Sequence, residues 1–180
     1  GSAVASVIGG EVSPSGHLPV SIPVKYADVP SQNFPVNVPE TGHNQSFEHY
    51  SKIHKYYDVP NIDYTDYDED IYVGYRYYET KNVPVSYPFG FGLSYTTFEL
   101  TKPVVKLNGN TINVSINVKN TGDVAGKQVA QVYVKAPKGN YEKPTRELKA
   151  FGKTKELKPG ESQTLTMQIA KRDLASYDEA

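Results

Sequence analysis

The chain has 180 residues, 38% hydrophobic, 22% charged and 12% aromatic, enough for one domain or a little more with an apolar core. It holds no Cys and no Trp, which excludes a disulfide scaffold, a thiol nucleophile and any zinc site built on thiolates. The net charge of −1 conceals a division, because residues 1–100 carry 5 Lys and Arg against 12 Asp and Glu, while residues 101–180 carry 14 against 8. The lysines of the second half are spread over strands and turns without clustering. The expectation is therefore a solvated mixed-sign surface and mutual attraction of the halves, with no nucleic-acid partner.

Residues 3–8, AVASVI, read as the last turns of a helix, and Gly9-Gly10 supplies a left-handed stop. A helix this short is marginal alone, so the chain is expected to begin inside a domain. After the turn Ser13-Pro14-Ser15-Gly16, residues 17–24 (HLPVSIPV) read as a short strand. Pro19 and Pro23 each lack a backbone donor, which places it at a sheet edge or in a strand-like loop. Helix, turn and strand in this order are the end of an α/β unit. Residues 28–70 hold Pro30, Pro35, Pro39 and Pro60 and show no sustained period, so they are expected to run over a partner surface. The aromatics gather nearby, since 11 of the 15 Tyr lie between Tyr50 and Tyr95. Residues 71–78 (IYVGYRYY) read as a strand and 84–95 (PVSYPFGFGLSY) as a Gly/Pro-punctuated connection.

From about residue 96 the pattern is regular. Ile112, Val114, Ile116 and Val118 alternate with Asn113, Ser115 and Asn117, the signature of a strand with one buried face. Asn108-Gly109 is a hairpin turn joining it to 101–107. Residues 128–135 and the alternation Leu165, Met167, Ile169 give further strands, the last entered through the turn Lys158-Pro-Gly-Glu161. The expected fold is mainly β: an incomplete immunoglobulin-like or fibronectin type III sandwich of about five strands, preceded by the terminal piece of an α/β domain and a long Tyr-rich linker. The expected bounds are 1–37 for the α/β tail, 38–93 for the linker and 94–180 for the sandwich, truncated at its C-terminus.

Four stretches carry a family resemblance: GEVSPSGHLPVSIP at 10–23, IYVGYRYYETKNVPVSYPFGFGLSYTTFEL at 71–100, VKNTGDVAGKQVAQVYV at 118–134 and ELKAFGKTKELKPGESQTLTMQIAKRDLASYD at 147–178. In order and spacing they resemble the C-terminal third of family 3 glycoside hydrolases. The resemblance implies a barrel and most of an α/β sandwich domain N-terminal to this chain, followed here by the domain tail and a fibronectin type III-like domain. It implies retaining hydrolysis of β-linked glucose or xylose from short oligosaccharides, by an Asp on the barrel and a Glu on the second domain. The two carboxyl groups must lie roughly 5 Å apart. Neither maps to this sequence, so no catalytic residue is assigned, substrate-binding residues are unknown, and no metal or cofactor is implied. Family habit implies export to the periplasm or beyond. The chain departs from the family where Glu69-Asp70-Ile71 replaces Glu-Gly-Ile and where 38–68 has no counterpart. Two missing final strands would leave an unpaired edge and an open core.

Other chemistry is weakly indicated. Asp63, Asp66, Asp68, Glu69 and Asp70 offer oxygen ligands, but a calcium loop would need Gly at Ile71 and Glu at Tyr77. His43, His49 and His54 have the wrong spacing for zinc. Ser94 in Gly90-Phe-Gly-Leu-Ser94 is misplaced for a nucleophile elbow, and Gly90 and Gly92 complete no phosphate loop. Asn44 and Asn113 match the glycosylation pattern, with Asn113 on a strand face. The Tyr-rich strip is expected to seal the seam between the α/β domain and the sandwich, with Arg76 stacked on rings or paired with a buried carboxylate. The alternative function is a stand-alone carbohydrate-binding or adhesive module with a Tyr platform; a weaker one is an interaction domain pairing through its open edge.

Overall fold

A computed structural model describes residues 1–30 and 69–176. Helix α1 (Ser2–Ile8) ends as its glycines require: Gly9 remains right-handed and Gly10, at φ +78°, makes the left-handed exit. Of the strand expected over 17–24 only β1 (Ile22–Pro23) forms. It pairs antiparallel with β2 (Val85–Tyr87), while His17 bridges Gly92 separately. The stretch read as a connection, 84–95, therefore contains a strand and is zipped along much of its length to residues 13–23.

The strand expected over 71–78 is not there. Gly74, at φ +60° and ψ −131°, turns the backbone where a strand would have continued, and helix α2 (Tyr75–Thr80) follows. Its spacing, which aromatic β-propensity obscured, puts Tyr75 and Tyr78 a helical turn apart, and Tyr78 is 6% exposed.

Among the described residues five strands build the sandwich, the number expected. β3 (Phe98–Asn108), β4 (Thr111–Asn120) and β7 (Ser162–Ala170) form one antiparallel sheet in the order β3-β4-β7, and β5 (Val129–Val134) pairs with β6 (Glu147–Lys153). The hairpin between β3 and β4 closes with Asn108 opposite Thr111 and Gly109 at φ +57°. β6 was not foreseen, because ELKAFGK mixes charges and a Gly with no clean alternation; register with β5 (Gln131 opposite Phe151) makes it a strand.

Alternation decides the core. Val118, Leu165 and Met167 point inward onto Ala130 and Leu157, with Phe98, Ile116, Val132 and Ala150 packed around them. Burying such side chains contributes about 1.5–3 kcal/mol each. The partner sheet covers only part of this inner face. Val105 lies in register with Val114 and Met167, and Leu107 with Ile112 and Ile169, yet Val105 and Leu107 are 67% and 62% exposed.

Asn120 at the end of β4 is wholly buried and fully satisfied. Its Nδ2 donates to the carbonyls of Val124 and Leu157, both at 2.8 Å, and its Oδ1 accepts from the Thr96 hydroxyl at 2.6 Å and the Gly122 amide at 3.1 Å. One amide thus ties the NTGDVAG turn to the segment before β3 and to Leu157 between β6 and β7, with every polar atom satisfied.

Candidate functional site

The most elaborate cluster of side chains lies where the sandwich meets α2 and the turn Pro88-Phe89-Gly90-Phe91-Gly92. Helix α2 presents Tyr75, Arg76 and Glu79 to β5, β6 and the segment before β6. The Tyr75 ring stacks on Phe89 with centroids 4.5 Å apart and meets Tyr133 edge-on at 6.1 Å, and its hydroxyl accepts the Leu148 amide at 2.7 Å. Arg146 grips Glu79 with Nε and Nη2 at 2.7 and 2.8 Å and lies 4.4 Å over the Tyr133 ring. The hydrogen bond to Glu79 holds the guanidinium pKa above its ordinary value, while burial raises that of the Tyr133 phenol.

Tyr133 donates to Gln131 Oε1 at 2.6 Å, and Gln131 Nε2 donates to the Gly90 carbonyl at 3.3 Å. From Gly90 the contacts pass to the N-terminal segment: its amide donates to Leu18 O and the Leu18 amide to Phe91 O, each at 2.8 Å. Ser21 Oγ accepts the Phe89 amide, Ser13 pairs with Ser94, and the Tyr95 hydroxyl donates to Val7 O at the end of α1.

The two glycines of the turn serve close approach. A Cβ on Gly90 would strike the Gln131 amide, and one on Gly92 would lie 2.8 Å from both Gly16 O and His17 Nε2. No phosphate-binding role is needed to explain them. Ser94 is engaged by Ser13, and Asn113 accepts from Gln168 Nε2 at 3.0 Å.

Arg76 pairs with Glu147 at 3.2 Å; the other expected role, stacking on rings, falls to Arg146, which the sequence reading did not single out. Glu147 also holds Lys149, Glu142 accepts from the Tyr72 hydroxyl, and Glu161 takes Lys155. Among the described residues no group of three or more His, Asp or Glu could hold a metal ion. His43, His49, His54, Asp63, Asp66, Asp68 and Asn44 lie outside the described residues, as do Tyr50 to Tyr67 of the Tyr-rich strip. Within them Tyr75 packs against Phe89 and Tyr133 in the seam and Tyr78 is buried, while Tyr87 is half-exposed beside Phe91.

On the other side of the turn is an apolar groove of about 550 Å³ lined by Leu18, Ile22, Tyr87, Phe91 and Leu93, with His17 its one imidazole.

The sandwich is thus fastened by an aromatic and ionic seam to α2 and the PFGFG turn, and through the turn to residues 13–23. The last part of the chain, residues 128–180, matches a fibronectin type III-like domain. Over 184 residues the sequence is 39% identical to β-glucosidase BoGH3A of Bacteroides ovatus, covering 99% of this chain and 22% of that protein. It is 42% identical to an exo-α-(1→6)-L-arabinopyranosidase of Bifidobacterium breve, covering 99% of this chain and 21% of that protein. β-Glucosidase 3B of Thermotoga neapolitana, solved with glucose, superposes with a TM-score of 0.80 at 46% identity over 97% of this chain and 22% of that one. The chain spans about a fifth of the length of the relatives it matches. In sequence and in fold it resembles about a fifth of each of these family 3 glycosidases, with a fibronectin type III-like domain over residues 128–180.

Proposed function

We propose that the chain belongs to a retaining β-glycosidase that removes terminal β-linked glucose or xylose from short oligosaccharides, and that its own part in this is to brace. The observation that supports the reading is the seam. Side chains of the sandwich hold α2 and the PFGFG turn; the turn is bonded to His17 and Leu18 and the strand before it, β2, pairs with β1, in a segment that would close the domain bearing the general acid. A retaining mechanism needs its two carboxyl groups held about 5 Å apart, so a rigid support behind one of them has a direct catalytic use. In this reading residues 1–37 close the α/β domain, 38–93 cross between domains, and 94–180 form a sandwich whose uncovered inner face at Val105 and Leu107 is completed by further strands.

Glu79, Glu142, Glu147 and Glu161 are each held by a cation or a hydroxyl, which suits bracing. The test is hydrolysis of an aryl β-glucoside and an aryl β-xyloside by residues 1–180 alone. No turnover above a vector-only control is expected; turnover would place the catalytic groups within this chain and end the bracing account.

A further inference from the structure

Contacts across the seam are made by long side chains, because no sandwich strand pairs with α2 or with the PFGFG turn. They form a directed series. Glu79 fixes the Arg146 plane by two parallel bonds, and that plane covers the Tyr133 ring. The Tyr133 hydroxyl, donating to Gln131 Oε1, leaves the amide nitrogen turned toward the Gly90 carbonyl. Gly90, at φ +79° and too close to Gln131 to carry a Cβ, then donates its amide to the Leu18 carbonyl, and the Leu18 amide donates to Phe91 O. Each member orients the next, and an amide has only two useful orientations, so the tyrosine hydroxyl selects which atom of Gln131 faces the turn.

We infer that Arg146, Tyr133 and Gln131 are positioning residues, acting as a relay through which the sandwich sets the place of the Gly16-His17-Leu18-Pro19 segment. A lysine at Arg146 would keep the charge and lose both the fork and the planar stack, so the relay is specific to arginine. The consequence for catalysis rests on the glycosidase reading, since only there does the placement of this segment affect an acid group; the relay itself does not.

Amide hydrogen exchange on residues 1–180 tests it without any activity. Tyr133→Phe keeps the ring under Arg146 and removes only the hydroxyl. Losing one such bond should raise exchange at the Leu18 and Gly90 amides by roughly three- to tenfold, with the β4–β7 ladder (Asn113, Ser115, Met167) unchanged. Arg146→Lys should raise the same two amides. Unchanged Leu18 and Gly90 in both variants would overturn the relay, and so would a rise shared equally by the ladder, which would mean general loss of stability. Since no substrate is involved, failure here leaves the glycosidase reading to its own assay.

Discussion

Asn120 shows how much one side chain can fix. Its amide makes four hydrogen bonds at zero exposure, the buried ones to Thr96 and Leu157 and the part-buried ones to Val124 and Gly122, so truncation takes a partner from each of these polar groups. Each such group costs about 1–3 kcal/mol, partly relieved by relaxation, and we expect Asn120→Ala to lower stability by about 3–5 kcal/mol. The check is urea denaturation, with the midpoint falling at unchanged slope. A loss below about 1 kcal/mol would show that the turn is held by other contacts. Asn120-Thr-Gly was legible in sequence only as a turn, because nothing in local pattern says that a polar residue at a strand end points inward. Arg146 was missed for a similar reason: it stands among Lys143, Pro144 and Thr145 like any surface cation, and its partners Glu79 and Tyr133 come from other elements.

At the level of elements, the readings that held rested on alternation and turn chemistry, as in β4, β7 and the Gly109 hairpin. Those that failed rested on residue type. IYVGYRYY is rich in β-formers, yet the positive φ of Gly74 and the burial of Tyr78 a turn after Tyr75 make α2 a helix. β6 lacks alternation and exists because β5 lies beside it. The turn into β7 supplies a pH test. Glu161 accepts from Lys155 Nζ at 2.6 Å and from the Lys158 amide at 3.0 Å, and these bonds, the lysine's first, hold its pKa below the ordinary glutamate value of 4.5. A carboxylate with a depressed folded pKa contributes stability that is complete above its unfolded pKa and is lost as pH falls through the folded one. Wild type should therefore be more stable than Glu161→Gln at neutral pH, with the difference shrinking only below about pH 4.5. Thermal melts across pH will show it, and a difference that widened in acid would contradict the assignment. The effect will be small, because the pair is exposed to water and salt.

At the level of the whole molecule, the two halves of opposite charge meet through defined ion pairs: Arg76 and Glu79 of the first half bind Glu147 and Arg146 of the second. The charge division was visible in the sequence; its pairing was not, since it depends on α2 being a helix. The resemblance to family 3 glycoside hydrolases was legible in four linear stretches, and all four meet in the seam, 147–178 through Glu147 and Leu148. The central claim is that this chain braces a glycosidase, and a chimera tests it most directly. Residues 1–180 would replace the matching C-terminal fifth of Thermotoga neapolitana β-glucosidase 3B, to which they are 46% identical, and aryl β-glucoside turnover would be measured beside a deletion lacking that part. The account predicts turnover by the chimera and none by the deletion. A folded chimera without turnover, or a deletion as active as the parent, would contradict it.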